Sequence, residues 1–252
     1  MRVPELEGLI ARRILLNYRL DPTVLARLLP SPMEPLLVDG QGVAGVCLIR
    51  LEQLRPAFLG SALPKRLALS SENAAHRVAV SLHGKPAVYV FRRDTSSRMN
   101  HWAGGRLFPG EHHLAKFEVT DTEDRVSLEM TAADGVHIEV AGTASSEWPA
   151  DSVFPSLSAA SEFFRAGCNG YSVTHDSGRL DGLCLDVHDW RTQALSVQRA
   201  ASTLYDDLSL FPRGSIQLDH ALLMRNAEHS WRALDDVEVA PAEVEFRVAG
   251  HS

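Results

Sequence analysis

Residues 75–93 read AHRVAVSLHGKPAVYVFRR, a pattern typical of a β-hairpin. Two sets of side chains alternate over 75–82: His76, Val78 and Val80 in one set, and Arg77, Ala79 and Ser81 in the other. Residues 83–86 contain Gly84 and Pro86, which are frequent in turns, and β-branched and aromatic residues follow over 86–93. A period of two on both sides of a turn predicts two paired antiparallel strands.

The rest of the chain repeats this arrangement of short apolar segments between turn signals. Asp39-Gly40 and Asp134-Gly135 are two such signals. Closely spaced turns favour an antiparallel sheet or barrel over βαβ units. We therefore expect strands over 9–20, 42–51, 113–120, 125–131, 135–143, 183–199 and 215–226, with 42–51 buried on both faces.

A few short helices are expected between these strands. Asp21 suits an N-cap and Pro22 the first helical position, and the apolar stripe of 24–29 ends at Pro30. Further helices are predicted over 95–107, 156–165 and 202–210. We expect residues 1–252 to form one domain that is mainly β, with a polar tail from about residue 235. The segment from Ala240 onward would be either a last edge strand or a loose end.

Composition excludes several classes of protein. The 252 residues are 45% hydrophobic and 23% charged, which is ordinary for a globular protein and excludes wholesale disorder. A net charge of -7 gives no general attraction for phosphate backbones, so no nucleic-acid partner is expected. No apolar run approaches the ~18 residues of a membrane-spanning helix, and no secretion signal is visible. We expect a cytoplasmic protein with no membrane partner.

Cysteine and lysine are both scarce. The three cysteines, Cys47, Cys168 and Cys184, form no CxxC pair and fit a reducing compartment. Cys47 lies in an apolar run, so a small core residue is favoured over a nucleophile. Lysine-dependent chemistry has three side-chain candidates, Lys65, Lys85 and Lys116.

Several motifs together resemble a known family. They stand at 18–22 (YRLDP), 28–32 (LLPSP), 72–78 (ENAAHRV), 84–91 (GKPAVYVF), 94–98 (DTSSR) and 187–194 (VHDWRTQA). In this order and spacing they resemble the largely uncharacterised YqjF-like family, which is similar to acetoacetate decarboxylase and is placed in its superfamily. The resemblance covers about residues 10–230.

The resemblance implies both a fold and a chemistry. The implied fold is α+β and mainly antiparallel β: a cone-shaped, incomplete β-barrel with short flanking helices and an internal cavity. In acetoacetate decarboxylase a cavity lysine forms a Schiff base with a β-keto acid, and neighbouring charge lowers its pKa. The equivalent stretch here, 91–100, contains no lysine. Decarboxylation by that mechanism is therefore not expected.

Four sets of residues are candidates for catalysis, and two of them lie on predicted strands with a clear alternation. Lys116 shares a strand face with Glu118. If that face lines the cavity, Lys116 would be a displaced amine nucleophile. If it faces outward, which is the favoured alternative, Lys116 and Glu118 would form a solvated ion pair. Glu72 could act as a general base and Arg77 could hold a substrate carboxylate, or both could form structural ion pairs. Their odd separation places them on opposite faces of a regular strand, so one shared site would need a bulge.

The remaining candidates have equally open alternatives. Arg98 begins a predicted helix and could reach the cavity, whereas at most one of Arg92 and Arg93 is expected to face inward. His188 and Trp190 would share one strand face, as an acid/base group beside a stacking platform or as a core pair. Substrate binding is assigned to Arg19, His76, Tyr89 and Trp190.

No cofactor and no metal is expected. Nucleotide and phosphate fingerprints and the GxSxG elbow are absent from the sequence. His101, Glu111, His112 and His113 lie close together, but their spacing matches neither HExxH nor a compact Cys/His site. A polar loop with adventitious affinity for nickel or zinc is the favoured interpretation of this cluster.

Two functions from different classes remain. The first is a cavity that accepts a small keto acid or a polyketide-like carbonyl compound and carries out lyase or isomerase chemistry. Glu72 or His188 would then move protons, Arg77 or Arg98 would orient a carboxylate, and Lys116 would be the Schiff-base candidate. The second is a binding or sensing module that returns its ligand unchanged. Exposed strand edges would also allow a homodimer or a structural subunit.

Overall fold

In the computed structural model, residues 5–58, 69–103, 110–176 and 178–244 are described. Within them the chain forms fourteen strands and three helices. The strands are β1 (Leu6–Leu20), β2 (Met33–Pro35), β3 (Leu37–Val38), β4 (Gln41–Pro56), β5 (Leu69–Leu82), β6 (Lys85–Thr95), β7 (His112–Asp121), β8 (Arg125–Ala132), β9 (His137–Ser145), β10 (Asn169–Val173), β11 (Arg179–Val187), β12 (Gln193–Ser202), β13 (Ile216–Ala233) and β14 (Val237–Glu238). The helices are α1 (Pro22–Leu28), α2 (Arg98–Ala103) and α3 (Leu157–Ala166).

Nine strands close a barrel in the order β6-β7-β8-β9-β12-β13-β1-β4-β5, with β5 returning to β6. The expectation of an incomplete barrel is therefore wrong. Closure depends on two short seams: residues 93–95 of β6 pair in parallel with 112–114 of β7, and β12 joins β13 through two residue pairs. The sequence predicted antiparallel hairpins only, and a short parallel seam has no comparable pattern.

A second path joins the same strands. β10 pairs in parallel with β6 over 170–172 and 88–90, and β11 pairs with both β10 and the end of β13. Strands β13, β1, β4, β5 and β6 therefore belong to two closed rings of strands. Because a ring lies on each side of them, the central parts of these strands have two buried faces.

Two apolar clusters fill the two sides. Along β1, β4 and β5, the even-numbered residues Leu16, Val46 and Val78 belong to the cluster inside the nine-stranded barrel. The odd-numbered Leu15 and Cys47 belong to a second cluster, which packs beneath α3. The expectation that 42–51 is buried on both faces is correct, since eight consecutive residues of β4, 42–49, are buried.

Local signals account for most elements. Asp21 caps α1, because its Oδ1 accepts from Thr23 N at 2.8 Å and from Val24 N at 3.4 Å. The β5–β6 hairpin turns through His83 and Gly84, both with positive φ, as a two-residue turn requires. The predicted meander is present as β7, β8 and β9. Among the described residues, none of the helices has the length and hydrophobicity of a membrane-spanning segment.

Two predicted elements are wrong. The strand expected over 183–199 is broken at 188–192, where the chain passes from β11, paired with β13, to β12, paired with β9. The helix expected over 202–210 is a series of turns. There Asp207 Oδ1 accepts from Ser209 N at 2.8 Å, a local bond that competes with helix formation. Of the helix expected over 95–107, α2 covers 98–103, and 104–109 lie outside the described residues.

A short edge strand lies near the start of the polar tail, where β14 pairs with the start of β11 through Val237 and Glu238. From Ala240 onward the described chain forms no strand: Ala240 makes an isolated bridge with Ser31, and Val244 N donates to Arg27 O at 3.1 Å. Residues 245–252 lie outside the described residues, so the alternatives for that segment stay predictions.

Candidate functional site

A cavity of about 110 Å³ lies on the odd-numbered face of β1, β4 and β5, on the opposite side of these strands from the barrel interior. It is well below the ~300–1,000 Å³ of sites for drug-sized molecules, so it suits a ligand of few atoms. β10, β11 and the end of α3 enclose it. Its polar lining consists of Arg13, Cys47, Asn73, Arg77, Arg93, Asp94, His112 and Cys168.

Three arginines converge on this cavity from three strands. They are Arg13 of β1, Arg77 of β5 and Arg93 of β6. In the described part of the chain, none of them has a carboxylate within salt-bridge distance. Asp94, which also lines the cavity, is paired with Arg92, and Asp181 acts on Arg93 from a longer distance. Three guanidinium groups without a carboxylate in salt-bridge contact create a positive potential, which favours an anion.

Arg77 is the most buried of the three, with 5% of its surface exposed. Its Nη2 donates to Asn17 Oδ1 at 2.7 Å, and its guanidinium lies 4.8 Å from the centre of the Phe164 ring. Nε and Nη1 have no hydrogen-bond partner in the described structure. Burial lowers the pKa of Arg77 to about 10, which still leaves it charged at neutral pH. A buried cation with unused donors is costly unless an anion accepts from it.

Arg77 can reach Asn17 because the residue between them on β4 is a glycine. Asn17, Gly45 and Arg77 stand side by side on β1, β4 and β5. A Cβ on Gly45 would lie 2.5 Å from Leu16 O and 2.9 Å from Asn17 Oδ1. Glycine therefore lets the Arg77 side chain cross a whole strand to reach Asn17.

A buried chain of hydrogen bonds fixes this arrangement. Arginine only donates, so Asn17 must present Oδ1 to Arg77 and Nδ2 to His220 Nε2, 3.0 Å away. His220 Nε2 is then an acceptor, and the proton on Nδ1 is donated to Asp219 Oδ2 at 2.6 Å. Burial lowers the pKa of His220, although Asp219 opposes this shift, which agrees with a neutral ring. Ser152 Oγ completes the chain by donating to Asp219 at 2.6 Å.

Cys47 shares the cavity with the arginines. It is 8% exposed, and its Sγ lies 3.3 Å from Arg13 Nε, which donates to it. The guanidinium carbon of Arg13 lies 5.4 Å from the centre of the Trp190 ring, a cation–π contact that holds Arg13 in place. The expectation of a buried Cys47 is correct, but the residue faces a polar cavity as well as the apolar cluster.

Arg93 and His112 form the opposite wall. Arg93 Nε donates to Ser172 Oγ at 2.9 Å, and burial lowers its pKa to about 10. His112 Nδ1 donates to Gly110 O at 3.1 Å. Burial, followed by the charge of Arg93, lowers the pKa of His112 to about 3, so its ring is neutral at pH 7. The cavity therefore keeps an excess of positive charge.

Glu72 and Arg77 lie on opposite sides of β5 and share no site. Glu72 is inside the barrel, where Arg12 Nη2 donates to its Oε2 at 2.6 Å. Burial raises the pKa of Glu72 against the opposing effects of Arg12 and Arg50. Glu72 therefore forms a structural ion pair, which is one of the alternatives left open by the sequence, whereas Arg77 lines the cavity.

The other catalytic candidates lie on the surface. Lys116 is 77% exposed, with Nζ 2.5 Å from Glu118 Oε1, which is the outward alternative. Arg98 on α2 and His188 are also exposed. His188 stands in the bend between β11 and β12, so the expectation that it shares a strand face with Trp190 is wrong.

The predicted substrate-binding residues are scattered. Arg19 forms ion pairs with Asp151 and Asp219 at 3.3 and 3.4 Å. His76 is fully buried in the barrel, where burial lowers its pKa to about 3. Tyr89 lines a different cleft. Trp190, by contrast, supports Arg13, and its Nε1 donates to Ser161 Oγ at 2.9 Å.

The cleft that Tyr89 lines is larger, at about 550 Å³, but its arginine side chains already form ion pairs. Arg92 Nη2 lies 2.6 Å from Asp94, and its Nη1 lies 2.8 Å from Asp134. Arg179 is paired with Asp236. Because unused donors attract a ligand more strongly than satisfied ion pairs do, we assign the site to the smaller cavity. Both Arg92 and Arg93 are turned away from solvent, on opposite sides of β6.

The histidine-rich segment has no metal geometry in its described part. His112 faces the cavity, whereas His113 faces Asp134 at 3.8 Å, so the two neighbours point to different sides. His101 Nδ1 donates to His112 O at 2.6 Å. Among the described residues, no three His, Cys, Asp or Glu side chains are arranged to hold a metal ion.

Sequence reasoning missed Arg13, Asn17, Cys47 and His112 as members of the site. The available signal was their position: Arg13, Asn17, Cys47 and Arg77 all fall on odd numbers, and each has at least one apolar even-numbered neighbour. That pattern was visible on β5 and β1. On β4 both faces are apolar, so no alternation marks Cys47 there.

The chain matches the model of one protein family over residues 10–222. The family is DUF2071, described as "Uncharacterized conserved protein (COG2071)". A search of curated protein sequences finds no significant match.

Solved structures with the same fold cover nearly the whole chain. The acetoacetate decarboxylase of Legionella pneumophila subsp. pneumophila str. Philadelphia 1 is 13% identical with a TM-score of 0.62, over 93% of this chain and 88% of that one. An acetoacetate decarboxylase-like enzyme of Sphingomonas wittichii RW1 is 14% identical with a TM-score of 0.60, over 94% and 93%. The enduracididine biosynthesis enzyme MppR complexed with pyruvate is 13% identical with a TM-score of 0.55, over 92% and 90%. At these identities the likeness shows the fold.

Proposed function

Because the chain belongs to the DUF2071 family, within the acetoacetate decarboxylase-like superfamily, we propose that it binds a small organic anion, a keto acid, in the arginine-lined cavity. The observation that carries this proposal is that Arg77, one of three arginines at the cavity, is buried and has two nitrogens without a hydrogen-bond partner in the described structure. Arg13 and Arg93 supply further positive charge. MppR, of the same fold, is described in complex with pyruvate, which supports a keto acid as the ligand class.

Schiff-base decarboxylation has no support among the described lysines. Lys116 and Lys85 are both exposed, and neither lines the cavity. Lys65 lies outside the described residues. The cavity retains the means to hold a carboxylate, whereas the described part of the chain offers no amine beside it.

Calorimetric titration with pyruvate, acetoacetate and acetone tests the proposal. We expect both acids to bind and acetone, which has no negative charge, not to bind. Arg77→Met should weaken pyruvate binding about 10–100-fold, because a hydrogen bond to a charged group contributes ~1.5–3 kcal/mol. Arg199→Met, at a side chain that is 69% exposed, is the matched control and should bind like the wild type. Equal binding of acetone, or unchanged binding by Arg77→Met, would contradict the proposal.

A further inference from the structure

We propose that Cys47 is a nucleophile that adds reversibly to the carbonyl carbon of the keto acid held in this cavity. The inference rests on the proposed function and extends it, because it gives the site a covalent step. It also replaces the expectation that Cys47 is only a small core residue.

An arginine contacts the sulfur of Cys47 directly. Arg13 Nε donates to Sγ at 3.3 Å. Arg77 and Arg93 each interact electrostatically with Cys47, so the sulfur lies within reach of two further buried arginines. Cysteines next to arginine or lysine are those that react as nucleophiles in proteins.

The neighbour Arg77 independently indicates a ligand. It lines the same cavity, is 5% exposed, and keeps Nε and Nη1 without partners in the described structure. A carboxylate that accepts from Arg77 would bring the adjacent carbonyl carbon into the same small volume as Cys47 Sγ. Proximity of this kind converts a slow bimolecular addition into an efficient one.

The step is a balanced addition without a leaving group. The sulfur lone pair forms a C–S bond, and the π electrons of the carbonyl move to its oxygen, where arginine N–H groups stabilise the negative charge. The proton released by the thiol ends on that oxygen, so a thiol and a ketone yield a thiohemiketal. The reverse step restores both, and no oxidant, reductant or metal takes part.

The other two cysteines provide an internal comparison. Cys168 also lines the cavity, but its Sγ donates to Asn169 Oδ1 at 3.6 Å and it interacts with Cys184. Burial, followed by the hydrogen bond with Cys168, raises the pKa of Cys184 to about 11. Among the described residues, an arginine donates a hydrogen bond to Cys47 and to neither of the other two cysteines.

Carbon-13 NMR of the full-length protein with pyruvate labelled at C2 tests the step directly. We expect the wild type to shift part of the bound carbonyl signal into the region of tetrahedral carbon. Cys47→Ser and Cys47→Ala should abolish the tetrahedral signal that exceeds that of hydrated free pyruvate, and Cys184→Ser, at a buried cysteine outside the cavity lining, should keep it. A signal of this kind that persists in both Cys47 variants would overturn the assignment.

Alkylation by bromopyruvate gives a second readout, with iodoacetamide as the uncharged reagent. Intact mass and peptide mapping should place one bromopyruvate adduct on Cys47. Arg77→Met, or Arg77→Gln if the first variant folds poorly, should slow bromopyruvate labelling about tenfold relative to iodoacetamide, since it removes the group that holds the carboxylate. Labelling that maps to Cys168 or Cys184 would refute the inference.

Failure of the inference and failure of the proposed function are distinguishable. Calorimetry on the wild type measures pyruvate binding in the same samples. Binding without a tetrahedral carbon signal would overturn the role of Cys47 and leave the binding function intact. Absence of binding would overturn both.

Discussion

Asn17 determines what Arg77 is able to hold. As a neutral acceptor at 2.7 Å, it positions the guanidinium without cancelling its charge. Its own orientation is fixed by His220 and, through it, by Asp219. With an amide at position 17, Arg77 keeps its charge and attracts an anion. With a carboxylate there, Arg77 would already be paired.

Asn17→Asp should weaken anion binding without unfolding the protein. The new carboxylate would pair with Arg77 inside the cavity wall, and its second oxygen would face His220 Nε2, which would then take up a proton. We expect pyruvate affinity to fall at least about tenfold, with the free energy of unfolding within ~1 kcal/mol of the wild type. Calorimetry and urea unfolding measure the two quantities.

Asn226→Asp makes the same charge change at an exposed position and is the matched control. It should leave both quantities unchanged. If Asn17→Asp bound pyruvate like the wild type, Arg77 could not be the main anion contact.

At the scale of the element, β4 is the strand whose packing on both sides is most demanding. Gly45 meets Leu16 O and Asn17 on one side. Through its backbone it also meets Tyr205, whose hydroxyl lies 3.0 Å from Gly45 N and 2.8 Å from Gly45 O. A side chain at this position has no room, because the nearest atom is backbone and cannot rotate away.

Gly45→Ala should therefore destabilise the protein by about 1–3 kcal/mol, the usual cost of overpacking. It should also weaken pyruvate binding, because the added methyl group displaces Asn17 from Arg77. Gly170→Ala in β10 is the control for stability, since the nearest atom to its Cβ would lie 3.6 Å away, an ordinary contact. Urea unfolding in which both variants lose the same stability would contradict this account of β4.

Elements with local signals were predictable from the sequence, and elements without them were not. The cap at Asp21, the hairpin turn at His83 and the alternation along β5 all depend on near neighbours. The break at 188–192 instead follows from which strand each half pairs with, a long-range property. The site follows the same rule: Arg77 was identified, but where both faces of a strand are buried, sequence cannot tell which face borders a cavity.

At the scale of the whole molecule, buried neutral histidines couple stability to pH. Burial, and then Arg92, lowers the pKa of His76 to about 3 from an ordinary 6.5. Between these values the unfolded chain binds more protons than the folded one, so stability rises with pH over this range and is lost as the pH falls. Burial acts in the same way on His112 and His229, whose pKa values fall to about 3 and 4.

His76→Gln should reduce this acid sensitivity. The wild type is expected to lose about 2 kcal/mol of unfolding free energy between pH 6.5 and 4.5 from His76 alone, and the variant should lose that much less. His175→Gln, at a side chain that is 75% exposed, should follow the wild type. Urea unfolding at several pH values measures both, and identical slopes for His76→Gln and the wild type would contradict the prediction.

In the five strands that belong to both rings, substitutions at alternate residues have different effects. On β1, β4 and β5, neighbouring positions face different compartments, so Leu16, Val46 and Val78 respond to barrel packing while Arg13, Cys47 and Arg77 border the cavity. A substitution at an odd-numbered position of these three strands can change which ligand the cavity binds, while the packing inside the barrel stays the same. The same architecture can therefore acquire new ligand preferences one alternate residue at a time, while the neighbours in between preserve the scaffold.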